Sequence, residues 1–414
     1  MVPNGWFTYK FSEIVKETQL GTTERHKGEF CSDPIPLLKM GNLSWGGFNL
    51  KSLETLPRSR VDESLILKKG DFLFNTRNTP ELVGKSAVWN GELTEAIFDN
   101  NINRIVFHNS IDPFYLGLYL NNGRGKSVIN SLPAGSTSVA AIYWKDLKNI
   151  KLTLPPLPEQ KKIAQILSTW DKAIATTEKL IATSQQQKKA LMQQLLTGKK
   201  RLLDKNGVRF SGDWNALNLG EILSKVSNGV TYDAKNVEGL PVTRIETIST
   251  GKVNFNKVGF APDEENTRRF KLHQGDILYS HINSLEHIGR VAYFNDARPL
   301  YHGMNLLLLR TGEKHDSLYI YYLLGSELGK KYAKSYAKSA VNQASISTTD
   351  VKAFRFLIPN LPEQQKIASV LTAADKEIEL LQAKLAHLKD EKKALMQQLL
   401  TGKRRVKVDE NVAA

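Results

Sequence analysis

Residues 157–202, LPEQKKIAQILSTWDKAIATTEKLIATSQQQKKALMQQLLTGKKRL, recur without a gap as residues 361–406, LPEQQKIASVLTAADKEIELLQAKLAHLKDEKKALMQQLLTGKRRV. The two copies are identical at 25 of 46 positions, including the unbroken run Lys188 to Lys199, which returns as Lys392 to Lys403. Chance does not produce such a match within one chain. A repeat of this kind predicts that the chain consists of two related halves.

Each copy has the pattern of a long helix. Prolines end the stretch before each copy, and Leu-Leu-Thr-Gly closes it, which places Gly198 and Gly402 just beyond the expected helix ends. Apolar residues recur at alternating steps of four and three over nearly five heptads, a 3.5-residue period typical of a coiled coil. The residues expected to pack between the helices are Ile163, Leu167, Trp170, Ile174, Ile181, Leu191 and Leu195 in the first copy, and Ile367, Leu371, Ile378, Leu381, Leu385, Leu388, Leu395 and Leu399 in the second.

The segments before the two helices also correspond, but weakly. Gly70–Phe74 (GDFLF) matches Gly275–Tyr279 (GDILY), and the pair Gly84-Lys85 matches Gly289-Arg290. We therefore predict an α+β chain of two similar globular domains with mixed or antiparallel sheets, separated by two long helices that pair as an antiparallel coiled coil with pseudo-two-fold symmetry. The expected parts are domain 1 at 1–156, helix 1 at 157–203, domain 2 at 204–360, helix 2 at 361–406 and a tail at 407–414.

Short elements within the domains are also predicted. The candidate strands are Pro36–Met40, Asp71–Asn75, Ile102–Phe107, Pro241–Ile245, Asp276–Ser280, Val291–Phe294 and Asn305–Arg310, and the candidate helices are Asp112–Asn121 and Ser317–Ser335. The alternative for the long helices, two ordinary amphipathic helices docked on their own domains, accounts less well for the strict heptads. If the helices pair, residues 159–197 span about 58 Å at roughly 1.5 Å per residue, or on the order of 17 base pairs of DNA.

Composition narrows the class of protein and of partner. The 414 residues carry 57 Lys and Arg against 42 Asp and Glu, a net charge of +15 that favours a polyanionic partner such as nucleic acid. The lone cysteine, Cys31, excludes a disulfide framework and cysteine-rich zinc modules and fits a reducing compartment. The sequence contains neither a run of about 20 apolar residues nor a secretory signal pattern. We expect a cytoplasmic protein without a membrane partner.

The sequence patterns that would indicate an enzyme are incomplete. Gly125-Lys126-Ser127 resembles the end of a phosphate loop, but the pattern needs glycine at the position of Leu120. The histidines of the second domain form no i, i+4 pair, so we expect no metal site. The sequence favours a protein that recognises its partner and holds no catalytic centre or bound cofactor of its own.

Polar clusters occupy matching places in the two halves. Residues 75–79 and 280–284 each follow a strand, residues 135–138 and 339–343 precede the last strand, and residues 21–28 and 228–236 also match. Such side chains on loops can contact base edges and phosphates. The candidate DNA-binding residues are Arg25, Lys27, Arg77, Asn78, Lys85, Ser136, Thr137, Ser138, Tyr232, Lys235, His281, Asn283, Arg290, Asn342 and Gln343.

The organisation resembles the DNA-specificity subunit of type I restriction–modification systems. The match rests on LPPLPEQKKIAQIL (154–167) and IPNLPEQQKIASVL (358–371), on the repeated KKALMQQLLTGK run and on the GDFLF and GDILY strands. It covers essentially the whole chain. His281 stands where many members of that family carry arginine.

The resemblance implies two target-recognition domains, each reading one half of a bipartite, asymmetric site in double-stranded DNA. It also implies that the long helices set the spacer and dock two methyltransferase subunits, which bind S-adenosylmethionine and methylate adenine, and that restriction subunits using ATP and Mg²⁺ join the complex. None of those activities would reside in this chain. Two alternatives stay open: a coiled-coil adaptor that never touches DNA, and part of a fused methyltransferase–specificity system.

Overall fold

The computed structural model describes residues 2–26, 33–135, 138–340 and 343–408. The chain forms two compact units, one made of residues 1–177 and 384–414 and the other of residues 178–383. Each long helix therefore begins in one unit and ends in the other.

The first half of the chain holds fourteen strands and five helices in its described part. The strands are β1 Phe7–Lys10, β2 Val15–Leu20, β3 Pro34–Leu38, β4 Leu43–Ser44, β5 Gly47–Phe48, β6 Glu54–Pro57, β7 Phe72–Asn75, β8 Arg77–Asn78, β9 Ser86–Val88, β10 Ile97–Phe98, β11 Ile102–Phe107, β12 Ala134–Gly135, β13 Ala140–Ala141 and β14 Lys151–Leu154. The helices are α1 Phe11–Ile14, α2 Pro113–Leu120, α3 Gly123–Asn130, α4 Trp144–Leu147 and the long α5 Leu157–Leu195, with 3-10 turns at Arg58–Arg60 and Glu63–Leu65.

The second half repeats this plan. Its strands are β15 Asn215–Asn218, β16 Leu223–Asn228, β17 Leu240–Val242, β18 Gly259–Ala261, β19 Ile277–Tyr279, β20 Ile282–Asn283, β21 Val291–Tyr293, β22 Leu307–Thr311, β23 Lys338–Ala340, β24 Gln343–Ser345 and β25 Arg355–Ile358. Its helices are α6 Leu219–Ile222, α7 Glu265–Arg268, α8 Ser317–Gly325, α9 Glu327–Tyr336, α10 Thr348–Lys352 and the long α11 Leu361–Leu399, with 3-10 turns at Ile245–Ile248 and Phe255–Lys257.

A four-stranded antiparallel sheet forms the centre of each globular part. Its strand order is β2-β11-β7-β9 in the first unit and β16-β22-β19-β21 in the second, so the two sheets share one topology. Alternate residues of a strand point to opposite faces. Phe72 and Phe74 accordingly pack in the cluster that contains helix α2, while Leu73 packs in a separate cluster with β3 and β6. The sheet thus separates two hydrophobic cores.

The predicted strands and helices are confirmed with small shifts at their ends, and β11 has the predicted bounds. The sheets are mostly antiparallel, and β10 pairs with β3 in parallel. One helix prediction needs correction: 317–335 is two helices, α8 and α9. Ser326 has extended backbone angles between them, and its hydroxyl accepts a hydrogen bond from the Gly329 N–H at 3.3 Å, so it caps α9.

The long helices end where the sequence predicts. Gly198 and Gly402 have φ values of +70° and +69°, a conformation that glycine adopts without a Cβ clash. The Lys200 N–H donates to the Gln194 carbonyl at 3.1 Å, and the Arg404 N–H donates to that of Gln398 at 3.1 Å. These reversed turns satisfy carbonyl groups that each helix end would otherwise leave free.

The heptad positions form a narrow protected stripe on each long helix. Between Ile174 and Lys188 on α5, only Thr177, Ile181 and Ser184 are buried or half-buried. Between Ile378 and Leu388 on α11, only Leu381 and Leu385 are half-buried. Two protected positions in seven is the width of a coiled-coil seam, narrower than the stripe of an ordinary amphipathic helix. None of the helices within the described part of the chain has the length and apolar character needed to span a membrane.

The ends of the long helices pack into the two large cores. In the first unit, Ile163 and Leu167 of α5 share a cluster with Leu395 and Leu399 of α11. In the second unit, Ile367 and Leu371 of α11 share a cluster with the residues 191 and 195 of α5, both leucines. Within each unit, the beginning of one long helix therefore lies near the end of the other.

Candidate functional site

A small three-stranded sheet joins two of the predicted polar loops in the first unit. Its order is β12-β13-β8, with Ala140 opposite Asn78 and Ala141 opposite Arg77. The Ile142 N–H also donates to the Thr76 carbonyl at 3.0 Å. This pairing brings the segment after β7 next to the segment around 134–141.

The second unit builds the same small sheet from unlike residues. Its order is β20-β24-β23, with Asn283 opposite Ala344 and Ala340 opposite Gln343. The Ile346 N–H donates to the His281 carbonyl at 2.8 Å, as Ile142 does to Thr76. We call these two small sheets, β12-β13-β8 and β20-β24-β23, the platforms. They match in strand order and present different side chains.

A network of polar side chains supports the first platform. Arg25 donates to the buried Asp99 carboxylate at 3.3 Å and to the Asn100 side chain at 3.2 Å. The Asn101 side-chain amide donates to Asp99 at 3.1 Å, and the Asn101 backbone carbonyl accepts from the Asn75 side chain at 3.1 Å. The network therefore ties Arg25 to the strand end that carries the platform.

Asn78 and Asn283 hold equivalent places in the two platforms. Their Oδ1 atoms accept from the next N–H, of Thr79 and Ser284, at 2.9 Å in each case. Their Nδ2 groups donate to Asn75 Oδ1 at 3.0 Å and to Ser280 Oγ at 3.1 Å. Much of their hydrogen-bonding capacity is used to shape the turn, which leaves one amide hydrogen for an outside partner.

The other predicted platform residues differ in exposure. Arg77, Ser138, Lys235 and Gln343 are exposed, and Arg25 is 37% exposed at its side chain. Lys235 lies on the 228–236 loop, apart from the small sheet. Four further predicted residues, Lys27, Ser136, Thr137 and Asn342, lie outside the described residues.

Lys85 and Arg290 brace loops of their own units. Lys85 is 8% exposed, and its ammonium donates to the Met40 carbonyl at 3.3 Å; burial lowers its pKa from the ordinary value. The Arg290 guanidinium donates to the Ser249 carbonyl and to His287 Nδ1. Both cations are already engaged in intramolecular contacts.

Tyr232 and His281 are buried. Tyr232 packs in a core cluster with Val242 and Tyr301, and burial raises the pKa of its hydroxyl. His281 is 7% exposed, and desolvation lowers its pKa to about 4, so the ring is neutral at pH 7. Both side chains are therefore buried in the protein interior.

Two exposed side chains on or next to the small sheets, those of Lys338 and Tyr143, are not among the residues predicted from the sequence. Lys338 is exposed on β23 opposite Ser345, and Tyr143, 48% exposed, follows β13 by two residues. Lys338 follows a stretch with helical composition, so no local signal marked it as part of a strand. Tyr143 precedes a short helix that its sequence does not announce.

The arrangement offers hydrogen-bond donors, acceptors and cations held on short strands. Within the described residues, no group of three or more His, Cys, Asp or Glu side chains is placed to hold a metal ion. Side chains of this kind suit recognition of polar edges and anions.

A family model described as the type I restriction modification DNA specificity domain matches residues 58–184 and 211–390. The chain belongs to this family. Specificity subunits of type I systems are non-catalytic DNA-recognition subunits. The two matched stretches fall one in each half of the chain.

Two relatives in the family come from Methanocaldococcus jannaschii. The putative type I restriction enzyme MjaX specificity subunit is 42% identical over 195 residues, 46% of this chain and 46% of that protein, so the match spans about half the length of each. The type I restriction enzyme MjaVIII specificity subunit is 28% identical over 363 residues, 84% of this chain and 82% of that protein.

A solved specificity-subunit structure has a similar fold. The type I restriction–modification system S subunit from M. genitalium has a TM-score of 0.59 at 14% identity, and the match covers 96% of this chain and 99% of that one. At this identity the likeness concerns the fold alone.

Proposed function

We propose that this chain is a sequence-specific DNA-binding subunit that reads a bipartite, asymmetric site in double-stranded DNA. The observation that carries the proposal is the pair of matching platforms, β12-β13-β8 and β20-β24-β23, which share a backbone plan and differ in side chains. Two readers of one design with different contact residues fit two half-sites of different sequence. In this proposal, residues 1–156 and 204–360 are the two target-recognition domains.

Arg77 and Gln343 are the strongest candidates for base contacts. Both are exposed and lie on strands of the platforms, so backbone pairing fixes their positions. Arginine can bond two acceptors of guanine and glutamine can bond adenine, each worth about 1–3 kcal/mol of discrimination. Arg25 and Lys338 are candidates for phosphate contacts, which would add salt-dependent affinity.

The two long helices, in this proposal, pair as an antiparallel coiled coil. Support comes from two ion pairs, Asp171 with Lys392 in the first unit and Lys188 with Asp375 in the second. Seventeen residues separate Asp171 from Lys188, and seventeen separate Asp375 from Lys392 in the opposite direction. One antiparallel register therefore satisfies both pairs, and a fixed register would let helix length set the DNA spacer.

The repeated run Lys188–Lys199 and Lys392–Lys403 is suited to hold two copies of one partner. Lys189 and Gln193 in the first copy and Lys393 and Gln397 in the second are exposed. Identical exposed surfaces fit two methyltransferase subunits, with S-adenosylmethionine on those subunits and ATP and Mg²⁺ on restriction subunits. Such a complex acts on DNA in the cytoplasm.

Long-read methylation sequencing of the host tests the proposal. Deleting the gene should abolish adenine methylation at one bipartite motif. Arg77→Ala should relax or abolish recognition of one half of that motif, and Gln343→Ala should affect only the other half. Lys205→Ala, an exposed cation outside the platforms, is the matched control and should leave the motif intact.

One result would overturn the proposal that the platforms read DNA. If the reconstituted complex methylates its motif equally with Arg77→Ala, Gln343→Ala and the double substitution, the platforms do not read DNA. The adaptor alternative would then account better for the chain.

A further inference from the structure

Asn75 is a buried polar residue at the end of strand β7, two positions before Arg77 of the first platform. Its backbone is fixed by the segment that follows β8. The Asn75 N–H donates to the Lys85 carbonyl at 2.8 Å, and the Asn75 carbonyl accepts from the Gly84 N–H at 2.9 Å. Because the backbone is held in this way, the side-chain amide of Asn75 has a defined position next to β8.

The side chain of Asn75 binds both residues of β8. Its Nδ2 group donates to the Arg77 carbonyl at 3.0 Å and to the Asn101 carbonyl at 3.1 Å, so both amide hydrogens are used. Its Oδ1 atom accepts from the Asn78 side chain at 3.0 Å. Asn101 is held in turn by the buried Asp99 carboxylate, which accepts from the Asn101 N–H and side-chain amide at 3.1 Å each. Asn75 therefore links β8 to a fixed part of the unit.

Strand β8 has little other support. It is two residues long and lies at the edge of its sheet, so only β13 pairs with it, with Ala141 opposite Arg77. A segment with few contacts fluctuates more than one held from several sides. A side chain that recognises a ligand has to be held within about 0.5 Å of its productive position. The amide of Asn75 supplies a second point of attachment for the backbone that carries Arg77.

The second platform has the same backbone plan without this amide. Ser280 makes the backbone bonds that Asn75 makes, with the Arg290 carbonyl and the Gly289 N–H, at 2.8 Å each. The Ser280 hydroxyl accepts from the Asn283 side chain at 3.1 Å, and within the described part of the chain it forms no hydrogen bond to residue 282. The bond to the preceding platform residue is thus a feature of the first unit and not of the shared fold.

The residue that would be held also differs between the platforms. Arg77 directly precedes Asn78, and Ile282 directly precedes the equivalent Asn283. Arg77 is exposed and can offer two donors to guanine, whereas the isoleucine side chain offers no hydrogen bond. The extra amide bond therefore occurs in the platform whose strand presents an arginine at this place.

We infer that Asn75 is a positioning residue for base recognition by Arg77. Its amide fixes the backbone from which the guanidinium extends, so less conformational freedom is lost when Arg77 meets a base pair. The inference rests on the proposed function, because it requires that the first platform reads DNA.

Methylation by the full chain, reconstituted with its methyltransferase subunits, tests this role. The substrates are duplexes that carry the motif found by methylation sequencing and duplexes in which one base pair of either half-site is replaced. The ratio of the two methylation rates measures discrimination at that base pair.

Asn75→Ser gives the first unit the residue that the second unit has at this place. It removes the donor to the Arg77 carbonyl and keeps an acceptor for Asn78. We expect discrimination to fall by about tenfold at the base pair that Arg77→Ala affects, because a misplaced guanidinium loses part of its contact. Discrimination in the other half-site should stay unchanged.

The double substitution separates positioning from a general loss of structure. If Asn75 acts through Arg77, then Asn75→Ser should add nothing to the loss of discrimination that Arg77→Ala already causes. A residue that only supports the fold would lower methylation of the motif and of the replaced duplexes alike, with or without Arg77.

Asn121→Ser is the matched control. Asn121 is also buried in the first unit, and its amide also donates to two carbonyls, those of Ser86 and Gly117, at 2.8 Å each. It should leave discrimination unchanged. Thermal unfolding of every variant shows whether the fold is kept, and Asn75→Thr, which removes the same donor, takes the place of Asn75→Ser if the serine variant does not fold.

The outcomes separate this inference from the proposed function. Loss of discrimination with Arg77→Ala but not with Asn75→Ser overturns the inference alone, and so does a further loss when Asn75→Ser is added to Arg77→Ala. Full discrimination by Arg77→Ala at every base pair overturns base reading by Arg77, and the inference then falls with it.

Discussion

Lys188 Nζ lies 2.5 Å from Asp375 Oδ1, and the other carboxylate oxygen of Asp375 accepts a hydrogen bond from the Tyr322 hydroxyl at 2.7 Å. Lys188 occupies a heptad position that is otherwise apolar, and its side chain is 21% exposed. A cation at such a position disfavours every register except the one that supplies its carboxylate. Within the second unit, Lys188 therefore favours the one alignment of α5 and α11 in which it meets Asp375.

Asp375→Ala should destabilise the second unit by about 1–2 kcal/mol, because it leaves Lys188 half-buried without its partner. Urea unfolding measures the change. Asp171→Ala is the matched control and should cost less, since Asp171 is 52% exposed and Leu118 stands where Tyr322 stands in the second unit. Equal losses would show that burial of the pair is unimportant.

Glu363→Gln should lower the free energy of unfolding by roughly 2–3 kcal/mol. Glu363 is 1% exposed and accepts two hydrogen bonds from Arg201, at 2.6 and 2.7 Å, so the substitution leaves a guanidinium without its counter-charge. Glu379→Gln, in an exposed pair with Lys252, is the control and should cost under about 1 kcal/mol. A smaller loss for Glu363→Gln than for Glu379→Gln would contradict this account.

His302 should make the second unit sensitive to acid. Its ring is 1% exposed, its Nε2 donates to the Ser227 carbonyl at 3.2 Å, and desolvation lowers its pKa from 6.5 to about 4. The folded state thus binds fewer protons than the unfolded state. The contribution of the neutral His302 ring to the free energy of unfolding is complete above pH 6.5. As the pH falls toward 4, this contribution, on the order of 3 kcal/mol, is lost.

His302→Gln should flatten the pH dependence of unfolding between pH 6.5 and 4, whatever its effect at pH 7. Urea unfolding at several pH values gives the slope. His387→Gln, at an exposed position on α11, is the control and should keep the original slope. An unchanged slope in His302→Gln would mean that this ring does not govern the acid response.

Adding one heptad to each long helix should lengthen the preferred DNA spacer by about 3 base pairs, since seven residues add roughly 10.5 Å of helix. Selection from DNA with randomised spacers measures the change. Adding the same seven residues to the exposed turn at 205–207 is the control and should keep the original spacer. An unchanged spacer in the two-helix variant would remove the helices as the ruler.

The long helices could be predicted closely from the sequence, because their heptad pattern continues over nearly five heptads and does not depend on any single residue. Their ends at Gly198 and Gly402 follow from backbone chemistry that glycine alone meets easily. The sequence does not reveal the break at Ser326, because apolar residues continue on both sides of it and a single serine is a weak sign of a helix cap.

The candidate site was harder to predict. Residues 77–78 and 282–283 form strands of two residues, too short to carry a period, so they resemble loops until a distant segment pairs with them. Burial of Tyr232 and His281 depends on the packing of remote elements, which local composition does not record. Exposed Arg77 and Gln343 could be named from residue type and position alone.

The assignment of residues 384–414 to the same unit as residues 1–177 affects how the chain matures during synthesis. Residues 178–383 leave the ribosome as one continuous stretch with every element of their unit. The unit that begins first is completed later, because the end of α11 and Arg405, the partner of buried Glu159, are translated after residues 178–383. The unit encoded by the continuous stretch is therefore able to reach its native state before the unit that begins first.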